Sequence, residues 1–326
     1  MKTNESLRQE LGILVKNCGV ARQEGRYQEA ISIAKKVVSL SQKVFGAQSQ
    51  EKSKALIALG NLYETNANYK EAGDLILEAL NINEKIFGPE SPEVASALHS
   101  LAIVYRNTGD LDNAEDTFKK SLIISEKAFG MKHGNVASTL NSLGIIYQQK
   151  GDYNNAIAVA QRVLDIDKTL FGPDNPRISI DLGNLGGCYL GLGDTKNAER
   201  LFQEAFRIAM NAYGLNHPHV ATCVLHLGQL YNSVGNYKLA KKYGEQVLMI
   251  DLKVFNGMHP RIATDWIFLG DVNQNLEKYE NAELCYHQAL TINAKTFPKN
   301  HQSNLVIEKR LLDLQAQSKY VTTTIS

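Results

Sequence analysis

Apolar positions along this chain follow two superimposed spacings. At short range they recur every three or four residues, as at Leu140, Leu143, Gly144 and Tyr147, and again at Ala156, Ala160, Val163, Leu164 and Ile166. Each set lies on one face of an amphipathic helix. Gly151-Asp152 breaks the pattern between the two sets, and Phe171-Gly172-Pro173 ends the second. The stretch 136–171 is therefore predicted to be a hairpin of two helices, here called helix A and helix B.

At long range the spacing is 42 residues. Phe45, Phe87, Phe129, Phe171, Tyr213, Phe255 and Phe297 stand in steps of 42 without insertion or deletion, and Ala30, Ala72, Ala114, Ala156, Ala198, Ala240 and Ala282 keep the same step. One hairpin is thus copied seven times. A period of this size signals a solenoid in which each unit buries its apolar face against its neighbours. A column of small residues on helix A (Gly60, Ala102, Gly144, Gly186, Gly228, Gly270) and the alanine column on helix B mark where the two helices approach most closely. Larger columns, such as Tyr63, Tyr105 and Tyr147 on helix A and Leu80, Leu122 and Leu164 on helix B, fill the space between units.

The fold class expected is all-α: an N-terminal extension over 1–10, seven repeats over 11–302, a capping helix over 303–320 and a tail over 321–326. The first repeat carries Asn17, Cys18 and Ala21 where later ones have Leu, Gly and Tyr, which suits a terminal unit. Leu305, Ile307, Leu311, Leu312 and Leu314 place a lone helix after the last repeat, with Glu308, Lys309 and Arg310 expected on its outer face.

Charge removes several partners from consideration. The chain has 326 residues, 35 basic and 34 acidic, for a net charge of +1, and its charged residues are intermixed. No basic stripe awaits a phosphate backbone, so nucleic acid is not an expected partner. No apolar run approaches the length needed to span a bilayer, which points to a soluble, cytoplasmic protein without a membrane partner. Cys18, Cys188, Cys223 and Cys285 are scattered, as reduced thiols would be.

Certain residues resemble the tetratricopeptide repeat (TPR). Leu143-Gly144, Tyr147 and Gly151-Asp152-Tyr153-Asn154-Asn155-Ala156 match its pattern, as do Leu59-Gly60, Tyr63 and Asn68-Tyr69-Lys70-Glu71-Ala72. The period exceeds the usual 34 residues of that family. In this it resembles the long variant of kinesin light chains, with a Phe-Gly turn and a segment such as His217-Pro218-His219-Val220-Ala221. The resemblance implies a right-handed superhelical solenoid of antiparallel helix pairs whose helix A faces line a concave groove for extended peptides. No heptad coiled coil precedes the repeats, so motor-subunit function is not implied.

Carried onto this sequence, that groove would be lined by His99, Asn141, Ile145, Gln148, Gly183, Asn184, Gly187, Leu225, His226 and Gln229. It is neutral and rich in amides, which can bracket a peptide group whatever the partner's sequence. Its fifth repeat departs from the family pattern. Gly183, Gly187 and Gly191 form a stripe at i, i+4 and i+8, although each interior glycine costs a helix about 1 kcal/mol relative to alanine. A ligand pocket flanked by Asn141, Ile145, Leu225 and Gln229 would explain the stripe; so would close approach of another helix, as in self-association, or a helix tolerated as weak.

His133, His217, His259 and His301 share one column, but successive repeats stand about 10 Å apart, too far to converge on one ion. Their expected role is to set the entry of the next helix A, and no metal or cofactor is expected. No nucleophile elbow, zinc-protease motif or phosphate loop is present, so no catalytic residue is assigned. The function expected is a non-enzymatic scaffold or adaptor holding a protein segment in the groove. The alternative is a regulator that senses a small ligand or peptide at the fifth repeat.

Overall fold

The computed structural model describes residues 3–255, 257–297 and 301–324, with side chains as far as 316. Every regular element among them is an α-helix. Helix A of the successive repeats is α1 (Asn4–Gln23), α3 (Gln50–Thr65), α5 (Pro92–Asn107), α7 (Gly134–Gln149), α9 (Pro176–Leu192), α11 (Pro218–Ser233) and α13 (Pro260–Asn275). Helix B is α2 (Tyr27–Phe45), α4 (Tyr69–Phe87), α6 (Leu111–Phe129), α8 (Tyr153–Phe171), α10 (Thr195–Tyr213), α12 (Tyr237–Val254) and α14 (Tyr279–Thr296). A lone α15 (Gln302–Thr324) follows. The chain divides into two compact bodies, Met1–Leu170 and Phe171–Ser326, and each is described by itself.

Terminal boundaries differ from the sequence expectation. Helix α1 already begins at Asn4, within the expected extension, because Thr3 caps it by accepting a hydrogen bond from the Ser6 backbone N–H. Helix α15 continues to Thr324 instead of ending at 320. The last residues of the expected tail, 325–326, lie outside the described residues.

Local chemistry starts and stops each helix. At the A-to-B turns Gly25, Gly109, Gly151, Gly193 and Gly235 take positive φ, and Ala67 and Glu277 adopt φ 60° and 59° at the same column. In the third, fourth and fifth repeats an aspartate then opens helix B. Asp194 accepts from the Asn197 backbone N–H at 3.1 Å and from its side-chain amide at 2.6 Å, and Asp110 and Asp152 repeat the arrangement.

The histidine column caps the start of helix A and, through His301, of α15. Nδ1 of His133, His217, His259 and His301 accepts from the backbone N–H two residues on, at 3.1, 3.1, 3.2 and 3.3 Å. Each ring also stacks on the aromatic residue four positions back, at centroid distances of 4.6, 4.0, 3.9 and 4.2 Å. Where serine stands in this column, Ser49 and Ser91 cap instead.

In the N-terminal body, Val136, Ala137 and Leu140 of α7 pack on Val163 and Ile166 of α8, and Ala72 and Ile76 of α4 pack on Leu101 and Val104 of α5. Burying each large apolar side chain contributes about 1.5–3 kcal/mol. The alanine column is sealed: Ala30, Ala72, Ala114, Ala156, Ala198, Ala240 and Ala282 are all 0% exposed.

In the C-terminal body glycines are matched by bulk on the partner helix. A Cβ at Gly186 would lie 2.6 Å from Cε1 of Phe202, and Tyr286 crowds Gly270 in the same way. The sixth repeat is different, because the position that holds Phe202 or Tyr286 in its neighbours is Gly244. Phe268 of the next repeat fills the gap, standing 3.1 Å from a Cβ built at Gly228 and 3.0 Å from one at Gly244.

Helix α15 closes this body with Ile307, Leu311 and Leu314 buried, whereas Leu305 and Leu312 are 48% and 66% exposed. Arg310 does not belong to the outer face. Its guanidinium pairs with both carboxylate oxygens of Asp271 on α13, at 2.7 and 3.1 Å, and Tyr286 donates a hydrogen bond to the same carboxylate at 2.8 Å.

Candidate functional site

The groove residues expected from the sequence all lie on helix A, but they differ in availability. In the N-terminal body Ile145 and Gln148 are exposed and Asn141 is half-buried. His99 is also half-buried. Its Nδ1 sits 3.3 Å from Thr139 Oγ1, and its ring meets the edge of Phe118 at 5.2 Å. Thr139 donates its hydroxyl proton to the Asn135 carbonyl at 3.1 Å, which leaves its oxygen free to accept from His99 Nδ1–H. Burial, reinforced by the nearby Arg106 charge, pushes the His99 pKa down.

In the C-terminal body Asn184, Gly187 and Gln229 are exposed, while Leu225 and His226 are half-buried. The glycine stripe is not uniformly open. Gly183 is buried beneath His226 of α11, whose Cε1 and Nδ1 stand 3.1 and 3.2 Å from where its Cβ would be. The same imidazole packs against Phe202 at 5.1 Å, and its Nδ1 has no hydrogen-bond partner. Burial and then the charge of His219 lower its pKa. Gly187, one turn on, has nothing within 4 Å of a would-be Cβ. Close approach by a neighbouring helix thus explains Gly183, and Gly187 leaves open space beside the amides.

Two cavities lie on helix A faces, and the second is bordered by His99, one of the expected groove residues. One of about 400 Å³ lies among α1, α2 and α3, lined in part by Val15, Cys18, Arg22, Ile57, Ala58 and Asn61. Its sequence signal is Gly19, in the column where other repeats carry Asn61, Ile103, Ile145, Gln229 and Asp271. The other, of about 190 Å³, is bordered by His99, Ser100, Ser121, Ser125 and Thr139 of α5, α6 and α7. There Ser121 stands in a column that is alanine or valine in every other repeat, a polar substitution visible in the sequence.

Among the described residues no group of three or more histidine, cysteine or acidic side chains is placed to hold a metal ion, and no helix is long and apolar enough to cross a membrane.

Family comparison agrees with this architecture. A tetratricopeptide repeat profile matches residues 9–85, 53–127, 93–169, 135–211 and 177–253, and a second of the same description matches 266–296. The chain belongs to the tetratricopeptide repeat family. Such repeats make it a protein-interaction scaffold by class.

Among solved structures it is similar to the nearly identical TPR-like repeats of a Podosopora anserina kinesin light chain, with 21% identity over 65% of this chain and 99% of that one, at a TM-score of 0.55. It is also similar to the apo form of RapI, with 16% identity over 88% and 98% of the two chains and a TM-score of 0.64. A tetratricopeptide repeat protein of Parabacteroides merdae ATCC 43184 has 17% identity, coverage of 94% and 98%, and a TM-score of 0.63. At these identities the likeness is one of fold. No curated protein matches the chain.

Proposed function

We propose that this protein is a non-enzymatic adaptor that holds an extended peptide or partner segment along its helix A faces. The observation that carries this reading is the pairing, in one stretch, of exposed amides with open backbone. Asn184 and Gln229 are exposed near Gly187, whose Cα faces open space. An amide presents one acceptor and two donors, so it can satisfy the peptide groups of a strand-like ligand. The same reading extends to Asn61, exposed beside the cavity of about 400 Å³. A cytoplasmic location fits the free cysteines at 18, 188, 223 and 285.

The test is affinity capture with the purified protein, followed by crosslinking with a photoreactive amino acid at position 184 or 229. Crosslinks from either position to one polypeptide support the assignment. Crosslinks obtained only from helix B positions would move the binding surface to the other face.

A further inference from the structure

Two buried acids meet at the junction of the sixth and seventh repeats. Asp251, near the end of α12, is 0% exposed, and Asp265, in the second turn of α13, is 3% exposed. Asp265 stands one helical turn after Arg261, which bonds Asp251, so the two carboxyls share one neighbourhood and the charge of Asp251 acts on Asp265. Two like charges buried together disfavour each other, so one of the acids holds a proton more readily than a free carboxyl would. The cation at hand is Arg261, whose Nε lies 3.0 Å from Asp251 Oδ2. Its Nη2 is committed elsewhere, donating to the Pro218 carbonyl at 3.0 Å and to Thr222 Oγ1 at 3.2 Å on α11. With both acids ionised the junction would hold two buried negative charges against a single, partly exposed cation. Asp251 Oδ1 and Asp265 Oδ2 are buried and accept from no N–H or O–H of the protein that could offset that charge.

We propose that Asp251 and Asp265 share one proton, and that this proton is a lock fastening α13 to α12 and, through Arg261, to α11.

Sequence period supports a built device. The same three residue types recur 84 positions earlier, two repeats back, as Asp167, Arg177 and Asp181. The repeat between has Ala209, His219 and Cys223 at those columns, so the two acids and the arginine come and go together. Asp167 and Asp181 are buried as well, at 0% and 4%.

Other titratable groups around the pair are few. From α11, His219 feels the charge of Arg261, and Cys223, 2% exposed, has its thiol pushed up to about 11 by burial. His259 caps α13 with its Nδ1. Lys253 of α12 is exposed, and on α14 Glu280, His287 and Lys295 are exposed, with Glu283 half-exposed.

The sign follows from Asp265. Burial, then the Asp251 charge, raises its folded-state pKa from 3.8 to about 7. A carboxyl with a raised pKa keeps its proton after the opened chain has lost it. The lock is therefore fully engaged below the opened-state pKa, weakens as pH rises from about 4 to about 7, and changes no further above that.

Hydrogen exchange read as protection factors, corrected for the intrinsic rate at each pH, tests this on the full chain. Protection of α13 amides should fall between pH 5 and pH 7, by at most about tenfold per pH unit for one proton, and then level off. In Asp265→Asn, which keeps a donor toward Asp251 but cannot ionise, the curve should be flat and should lie above the parent at pH 8. Parallel curves, or a variant less protected than the parent at pH 8, would overturn the proposal. A carboxyl-carbon NMR titration of the parent decides the matter without any variant. Asp265 should titrate near pH 7, and a midpoint below pH 5 rejects the shared proton.

Discussion

His226 stands where a side chain at position 183 would have to go, with its Cε1 3.1 Å from a Cβ built on that glycine. Gly187, on the same face, has no such neighbour within 4 Å. The two glycines should therefore respond in opposite ways to the same substitution. Gly183→Leu should destabilise by about 1–3 kcal/mol through overpacking. Gly187→Leu should be neutral or stabilising by up to about 1 kcal/mol, since leucine is the better helix former. Paired chemical melts of the two variants provide the check.

If a partner segment crosses the open backbone at Gly187, Gly187→Leu should abolish its binding while helicity holds or rises. Asn184→Ala should weaken binding by about 1–3 kcal/mol where the amide satisfies a buried peptide group. Calorimetric titration with a crosslinked partner, at two salt concentrations, measures both effects. Little salt dependence is expected, because no lysine, arginine, aspartate or glutamate is among the ten residues assigned to the groove.

Each capping histidine holds one backbone N–H and one aromatic ring. His217→Ala should cost about 1 kcal/mol for the lost cap, with the exposed Tyr213 left unstacked. His259→Ala should cost about the same, and the two losses should add, since the sites are a full repeat apart. Melts of the single and double variants test this. Elemental analysis of parent and double variant should give the same background zinc.

Acid should weaken the packing around His99 and His226, both of whose folded-state pKa values lie below the ordinary value of 6.5 because they are buried. The unfolded chain binds a proton first in this case. Their contribution is complete above the ordinary histidine range and is lost as pH falls through it, opposite in sign to that of Asp265. A stability series from pH 7 to pH 5 on the parent and on His99→Gln/His226→Gln should show a shallower slope in the variant.

The step of 42, the sealed alanine column and the crowded glycines Gly60, Gly186 and Gly270 were legible because each depends on contacts within a single hairpin, which the period repeats faithfully. Gly183 was not, since its occupant lies 43 residues away and reaches it through a rotamer that spacing does not encode. Arg310 misled for a related reason. Helical spacing puts it beside Glu308 and Lys309, but its length carries the guanidinium back to Asp271, which a face assignment ignores. The acidic pair at Asp251 and Asp265 is written in the sequence at two-repeat spacing, yet it becomes chemistry only when the turn folds the two helices together.

Phe268 fits over Gly228 and Gly244, so the sixth repeat lacks a piece that the seventh supplies. Although all seven repeats keep the 42-residue step, they are not interchangeable. Moving the sixth elsewhere, or inserting a copy of another repeat after it, would expose a void that no residue of its own can fill. Duplication could multiply such hairpins freely only while they were alike. Once volume had migrated from one copy to the next, the order of the repeats at this point became fixed, and the chain could no longer gain or lose a unit there without refitting both sides.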